Sequence, residues 1–315
     1  MDSGFFSEKI VATPGGTVRY RKDNFSGFSC RISPERKKRI PFQNFIPESA
    51  FVACPFCPEN IMGSTPDFDD GKKVVIGESI TFPNLYPFSG RHIVTVITHS
   101  HNPDTFSVRQ IKDALTAQYE VLVGCDGYPS INWNNMPSSG ASMIHPHMQG
   151  ISDQSPAYAS RIFIGKSREF MSRYGCCYWD RLRETEACSG RYISGDEILC
   201  CASHVPIGEH EIRFYLPFSS ISDFGSYISE ISAGLKKIID YYNSCGHFAF
   251  NATIRFDKEK NDGSFRSFIS IIVRINPNEM SVSDSAFMER LHFEPICMTI
   301  PEKIPGMFKR SVSGK

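Results

Sequence analysis

The sequence predicts an α+β fold in which one unit, made of strands, a helix and further strands, occurs twice. Three observations carry this expectation. The strand-like run that begins His92-Ile93-Val94-Thr95-Val96 is matched by His210-Glu211-Ile212-Arg213-Phe214 at an offset of 118 residues. Gly77-Glu78-Ser79-Ile80 falls on Gly195-Asp196-Glu197-Ile198 at the same offset, and each run is followed by a helix candidate and then by a second group of strands. Strands and helices grouped in this way point to antiparallel sheets flanked by helices, duplicated within one chain. A length of 315 residues suits two halves, 1–155 and 156–315.

The elements follow in order. The first helix is expected over about 107–123. The second is expected over about 221–243, where Ile228, Ile231, Leu235, Ile238 and Ile239 recur at helical spacing. The closing strands are Ile131–Trp133 and His145–Gly150 in the first half, and Phe248–Arg255 and Phe265–Arg274 in the second.

Composition narrows the function classes. The 34 Lys and Arg balance 34 Asp and Glu, so there is no basic excess of the kind a nucleic-acid binder carries. The densest apolar stretch, Phe268–Val273, is far short of the roughly 20 residues that span a bilayer. Met1-Asp2-Ser3-Gly4 lacks the basic charge and apolar run of an export signal. Eleven cysteines in such a chain read as buried thiols or metal ligands before disulfides. A soluble cytoplasmic protein is expected.

The sharpest motif is His145-Pro146-His147-Met148-Gln149, preceded by Ser139-Gly140-Ala141-Ser142. Alternation along a strand would put His145, His147 and Gln149 on one face, and Pro146 would suit an edge or exposed strand. Beside a Gly/Ser turn whose amides can approach an anion, these groups suit a phosphate site, with histidine as nucleophile or metal ligand. Cys54-Pro55-Phe56-Cys57-Pro58 offers two thiolates for a tetrahedral zinc, with His99, His101 and His145 as candidates to complete it. A thioredoxin-like pair would need a helix that Pro58 and Pro66 oppose. The basic run Ser33-Pro34-Glu35-Arg36-Lys37-Lys38-Arg39 is either a solvated surface or, through Arg36 and Arg39, a bidentate phosphate clamp. Phe82-Pro83-Asn84-Leu85-Tyr86-Pro87 reads as a turn or as a base- or ribose-contacting loop.

Taken in order, these motifs, with Tyr20-Arg21-Lys22-Asp23, Thr65-Pro66 and Gly90-Arg91-His92, resemble the galactose-1-phosphate uridylyltransferase family of the histidine-triad superfamily. The likeness covers most of the first half and continues more weakly from Arg191 to Glu302. It implies duplicated histidine-triad-like units, usually a homodimer, and ping-pong nucleotidyl transfer from a nucleotide sugar to a sugar 1-phosphate or other phosphate acceptor. His147 matches the nucleophile and Gln149 the glutamine that bonds the phosphoryl oxygens. Arg36, Arg39, Asn134 and Ser142, with Gly140 and Ala141 beside it, match phosphate contacts. Phe56, Asn84 and Tyr86 match positions lining base and ribose.

Cys54, Cys57 and His145 match ligands of one structural zinc; His101 is the expected fourth, with His99 as runner-up. Glu294, in His292-Phe293-Glu294, matches an acceptor contact. The family's second His-x-His is replaced by Phe265-Arg266-Ser267-Phe268-Ile269-Ser270, so a second metal is not expected and galactose 1-phosphate is doubtful as acceptor. Two other readings stand beside transfer: phosphorolysis of a nucleotide sugar or dinucleotide with inorganic phosphate, in the manner of an ADP-glucose phosphorylase, and a nucleotide binder that has lost catalysis. A zinc-ribbon module is disfavoured by ligands spread over about ninety residues.

Overall fold

The structure, a computed structural model, describes residues 4–13, 16–35, 54–101, 105–275, 288–289 and 293–313. Its frame is a ten-stranded antiparallel sheet. The first half contributes β4 (Val74–Ile76), β5 (Ser79–Pro83), β6 (Arg91–Val96), β7 (Tyr128–Asn135) and β8 (His147–Asp153). The second contributes β9 (Tyr192–Ser194), β10 (Leu199–Ala202), β11 (Glu209–Tyr215), β12 (Phe250–Arg255) and β13 (Phe268–Val273). The spatial order is β4-β5-β6-β8-β7-β12-β13-β11-β10-β9. Read outward from the central β7–β12 pair, the two halves have the same topology, so the fold is duplicated as expected.

The repeat is not at one constant spacing. Gly77 and Gly195, 118 residues apart, both take positive φ, 57° and 86°, in the two hairpin turns. Between Glu209 and Ile212 the pairing with β13 slips, and His210 takes φ 51°. That bulge adds one residue, so Val94, opposite Gln149, corresponds to Arg213, opposite Ser270. By the central strands, Asn132 pairs directly with Thr253, its own counterpart in the other half.

One sheet face is covered by α2 (Val108–Leu122) and α6 (Ile228–Ser244), which bury Ile111, Leu115, Ile231, Leu235 and Ile238 against Trp133, Ile212, Ile254 and Ile271. Helix α2 starts where a capping box sets it: Gln110 N–H donates to Ser107 Oγ (3.1 Å) and Ser107 N–H to Gln110 Oε1 (2.9 Å). The second expected helix begins as a short turn of helix, α5 (Ile221–Phe224), before α6 proper.

The opposite face is covered differently in each half. In the first, Phe56 and Ile61, the latter opening the short helix α1 (Ile61–Ser64), pack on Phe82, Val94 and Val96. In the second, α3 (Tyr158–Tyr174) and α4 (Tyr178–Ala187), not anticipated from sequence, bury Phe163 and Trp179 on Phe268 and Tyr215. A four-stranded sheet, β1 (Phe6–Thr13), β2 (Gly16–Asp23), β3 (Ser29–Ile32) and β14 (Ile296–Cys297), is joined to the second half by Arg21. Its guanidinium donates to Glu302 (2.9 and 3.0 Å) and to the His204 carbonyl (3.1 Å). The eleven cysteines form no disulfide, and no helix among the described residues is long and apolar enough to cross a membrane.

Candidate active site and metal centre

Cys54, Cys57, His101 and His145 converge, with their ligand atoms all within 4.8 Å of one another. Cys57 Sγ is 3.3 Å from His101 Nδ1 and 3.7 Å from His145 Nδ1, and Cys54 Sγ is 3.7 Å from the latter. A tetrahedral zinc with its usual S and N bond lengths sets such pairs about 3.6 Å apart, so the donors fit a metal. His145 Nε2 lies 2.8 Å from the carbonyl of Thr98, which only accepts; Nε2 therefore carries the proton and Nδ1 turns a bare lone pair to the thiols. Without a metal, burial and the neighbouring Cys54 push the Cys57 thiol up to about 11. His99 is exposed and lies outside this cluster; its backbone N–H donates to Glu78 Oε2 (3.2 Å).

Two residues on, His147 opens β8. This strand lies inside the sheet, between β6 and β7, not at the edge that Pro146 suggested. The proline precedes the first ladder residue, so no ladder donor is lost, and its carbonyl accepts from Ile97 N–H (3.0 Å). His145 also precedes the strand and turns to the thiols instead of joining the strand face.

His147 Nδ1 is 2.9 Å from the His145 carbonyl oxygen, so Nδ1 donates and Nε2 keeps its lone pair. Burial lowers the imidazole's pKa and so favours the neutral ring, while the bond to the His145 carbonyl opposes this in part. Phe56 meets it edge-on, ring centres 5.4 Å apart. The close approach of α2 to β8 is made possible by Gly150, where a Cβ would strike Gln118 Oε1 and come within 2.8 Å of Ile93.

Gln149 shares the face of His147. Its Oε1 is 2.9 Å from Nε2 of His92 on β6. Phe88 N–H donates to His92 Nδ1 (3.4 Å), which leaves the proton on Nε2 and makes Gln149 Oε1 the acceptor. The Gln149 amide nitrogen is thereby turned outward as a donor. Asn84 Nδ2 stands 3.0 Å from the same His92 nitrogen and, in that tautomer, keeps its hydrogens for another acceptor, while its Oδ1 accepts from Tyr86 N–H (2.9 Å). In the sequence His92 marks the start of a repeated strand and closes the Gly90-Arg91-His92 motif, neither of which assigns it a role in the site. Its role depends on the β6–β8 register, which no local pattern discloses.

Asn134 Oδ1 accepts from Asn251 Nδ2 (2.6 Å), which also donates to the Ser139 carbonyl (2.9 Å); Arg274 in turn donates to Asn251 Oδ1 (2.6 Å). These second-half residues, missed from sequence, brace the turn that leads to Gly140, Ala141 and Ser142. In that turn Met136 takes φ 72° and Gly140 φ 87°. Gly140 and Ser142 are exposed. Tyr86 is 82% exposed. Glu294 pairs with Arg31 on β3 (3.2 Å). Arg36 and Arg39 lie outside the described residues.

No protein-family model matches the chain. An uncharacterized protein of Archaeoglobus fulgidus is 31% identical over 285 residues, covering 85% of each chain. Among solved structures, an ADP-glucose phosphorylase from Arabidopsis thaliana with bound ADP-glucose superposes with a TM-score of 0.73 at 16% identity, over 93% of this chain and 98% of that one. A galactose-1-phosphate uridylyltransferase-like protein from the same plant gives 0.70 at 16% identity, over 92% and 98%. A uridylyltransferase gives 0.69 at 19% identity, over 94% and 98%. The chain therefore belongs to one family with the A. fulgidus protein, and its fold is that of the galactose-1-phosphate uridylyltransferase-like proteins, the ADP-glucose phosphorylase among them.

Proposed function

We propose that this protein is a nucleotidyltransferase that passes a nucleoside monophosphate from a nucleotide sugar to a phosphate-bearing acceptor through a covalent nucleotidyl-His147 intermediate. The observation that carries this reading is the orientation of His147. Its Nδ1–H is held by the His145 carbonyl, its Nε2 lone pair is available, and a Gln149 donor stands on the same strand face. Nucleotidyl transfer or phosphorolysis, the activities named for the structurally similar proteins, is the coarser function that the shared fold supports.

In the proposed route Nε2 attacks the α-phosphorus of the donor. The N–P bond forms as the bond to the bridging oxygen breaks, and the leaving sugar phosphate carries away the electron pair. The Nδ1 proton stays in place, and the His145 carbonyl stabilises the positive charge that the ring acquires. A phosphate oxygen of the acceptor then attacks the same phosphorus, the N–P bond breaks and the ring returns to neutral. Gln149, Asn84, Asn134 and the Gly140-Ala141-Ser142 turn would donate to phosphoryl oxygens, and Arg36 and Arg39 would neutralise charge. Phe56 and Tyr86 would border the base and ribose, and Glu294 the acceptor.

We assign zinc to the Cys54–Cys57–His101–His145 centre. It would tie the Cys54 segment to the foot of β8 and so hold His147 in place without itself touching phosphate. The metal and nucleophile belong to the half 1–155, the divergent half being 156–315, and a cytoplasmic homodimer completes the reading. Initial rates with a panel of nucleotide sugars, varied against inorganic phosphate or a sugar 1-phosphate, test it. Parallel double-reciprocal lines are expected, and intersecting lines would reject the covalent route.

A further inference from the structure

The duplicated topology gives every strand residue of the His147 site a counterpart in the second half. On β13, Phe268 occupies the place of His147 and Ser270 that of Gln149; on β12, Arg255 occupies the place of Asn134; on β11, Arg213 occupies that of Val94. This mirrored position is hollow. A cavity of about 300 Å³ opens there, lined by Arg213, Arg255, Ser270 and Glu289 together with the rings of Phe163 and Phe268; Glu289 Oε1 accepts from Ile296 N–H (3.3 Å).

The two arginines are not equally compensated. Arg213 is buried against Glu211, Nε to Oε1 at 2.8 Å. Arg255 donates to Ser270 Oγ (3.3 Å) and lies over the Phe268 ring at 5.1 Å, but no carboxylate pairs with it among the described residues. Burial, then the like charge of Arg213, bring its pKa down to about 10 against the smaller opposing effect of the Glu211 charge, so it stays charged at neutral pH in a place that opposes charge. A guanidinium kept beside a second guanidinium, at the end of an aromatic-walled cavity, is stabilised when an anion enters.

We propose that the second half carries a non-catalytic ligand site for a small organic anion. Its phosphate or carboxylate group sits on Arg255, Arg213 and Ser270, and its apolar or aromatic body lies against the ring walls. Phe268 in the nucleophile's place means that nothing is transferred there. Arg213 is separated from Gln149 by four strand spacings, about 19 Å, so one phosphate group cannot occupy both sites. The proposal does not depend on the function assigned to His147.

Trp179 stacks on Phe268, ring centres 4.9 Å apart and planes 21° apart, which makes its fluorescence a reporter of this cavity. The test titrates phenyl phosphate, benzoate and inorganic phosphate into the full-length protein carrying Trp133→Phe, so that Trp179 is the reporting tryptophan. Saturable one-to-one binding of phenyl phosphate or benzoate is expected, and the tighter of the two identifies the headgroup. Arg255→Met should weaken it by about tenfold or more, as should Ala159→Phe, which fills the cavity from α3 without touching the arginine. His147→Ala should leave it unchanged. Absence of saturable binding overturns the proposal, as does binding that survives Ala159→Phe, which decides alone if Arg255→Met fails to fold.

Discussion

The imidazole of His92 holds the amide of Gln149, with Nε2 2.9 Å from Oε1 across the β6–β8 pair. Because Phe88 N–H occupies Nδ1, the contact also determines which end of the Gln149 amide faces outward. His92→Phe keeps a ring of similar size but removes the donor, so the amide can turn its oxygen toward a phosphoryl group. We expect kcat to fall by about tenfold while KM changes less. A fall in kcat matched by the same loss of folded protein would reduce His92 to a packing role.

Metal removal should act through the fold of the site. Cys57→Ser is expected to weaken zinc affinity by at least about 100-fold and to lower the unfolding midpoint of the purified protein. Added zinc should restore the midpoint of chelator-treated wild type but not of the variant. Metal analysis showing equal zinc in both proteins would displace the metal from these residues.

Gly150→Ala places a methyl group against Gln118 Oε1 and Ile93, beside Gln149. Overpacking of this kind costs about 1–3 kcal/mol, and the strain falls on the strand that carries His147. Urea unfolding should show the loss, and activity should drop in the fraction that remains folded. An unchanged midpoint would mean that α2 yields freely.

Acid should loosen the attachment of the four-stranded sheet. Burial alone would raise the Glu302 pKa, but the hydrogen bond and charge of Arg21, with Arg191, hold it below its ordinary value of 4.5. A depressed carboxylate contributes stability that is fully present above the unfolded value and is lost as pH falls through the folded one. Stability should therefore fall below about pH 4.5, and Glu302→Gln should flatten that limb while costing about 2–4 kcal/mol at neutral pH by leaving buried Arg21 under-paired. Parallel pH profiles for the two proteins would exclude Glu302 as the source.

The most legible parts of the site were the local ones. His147 and Gln149 are separated by one residue on one strand, and Cys54 and Cys57 by two in one turn, so spacing alone brought each pair together. His101 could be preferred over His99 only through family resemblance, and the geometry of the thiols then set His101 in the cluster. His92, Asn251 and Arg274 depend on which strands adjoin and in what register, which is non-local information. The duplication was readable at an offset of 118 because the two hairpin glycines keep that spacing. The His210 bulge and later insertions shift the register, so the correspondence of Phe268 to His147 emerges only from strand pairing. Helices α3 and α4 belong to the divergent half and have no counterpart among the described residues of the first half.

The central claim is tested most directly by intact-mass analysis of the protein after incubation with nucleotide sugars of each base in the absence of acceptor. The account predicts a gain of one nucleoside monophosphate, mapped to His147, discharged by inorganic phosphate or a sugar 1-phosphate and absent from His147→Ala. Turnover of any nucleotide sugar with no such adduct, or with equal turnover by His147→Ala, would contradict it.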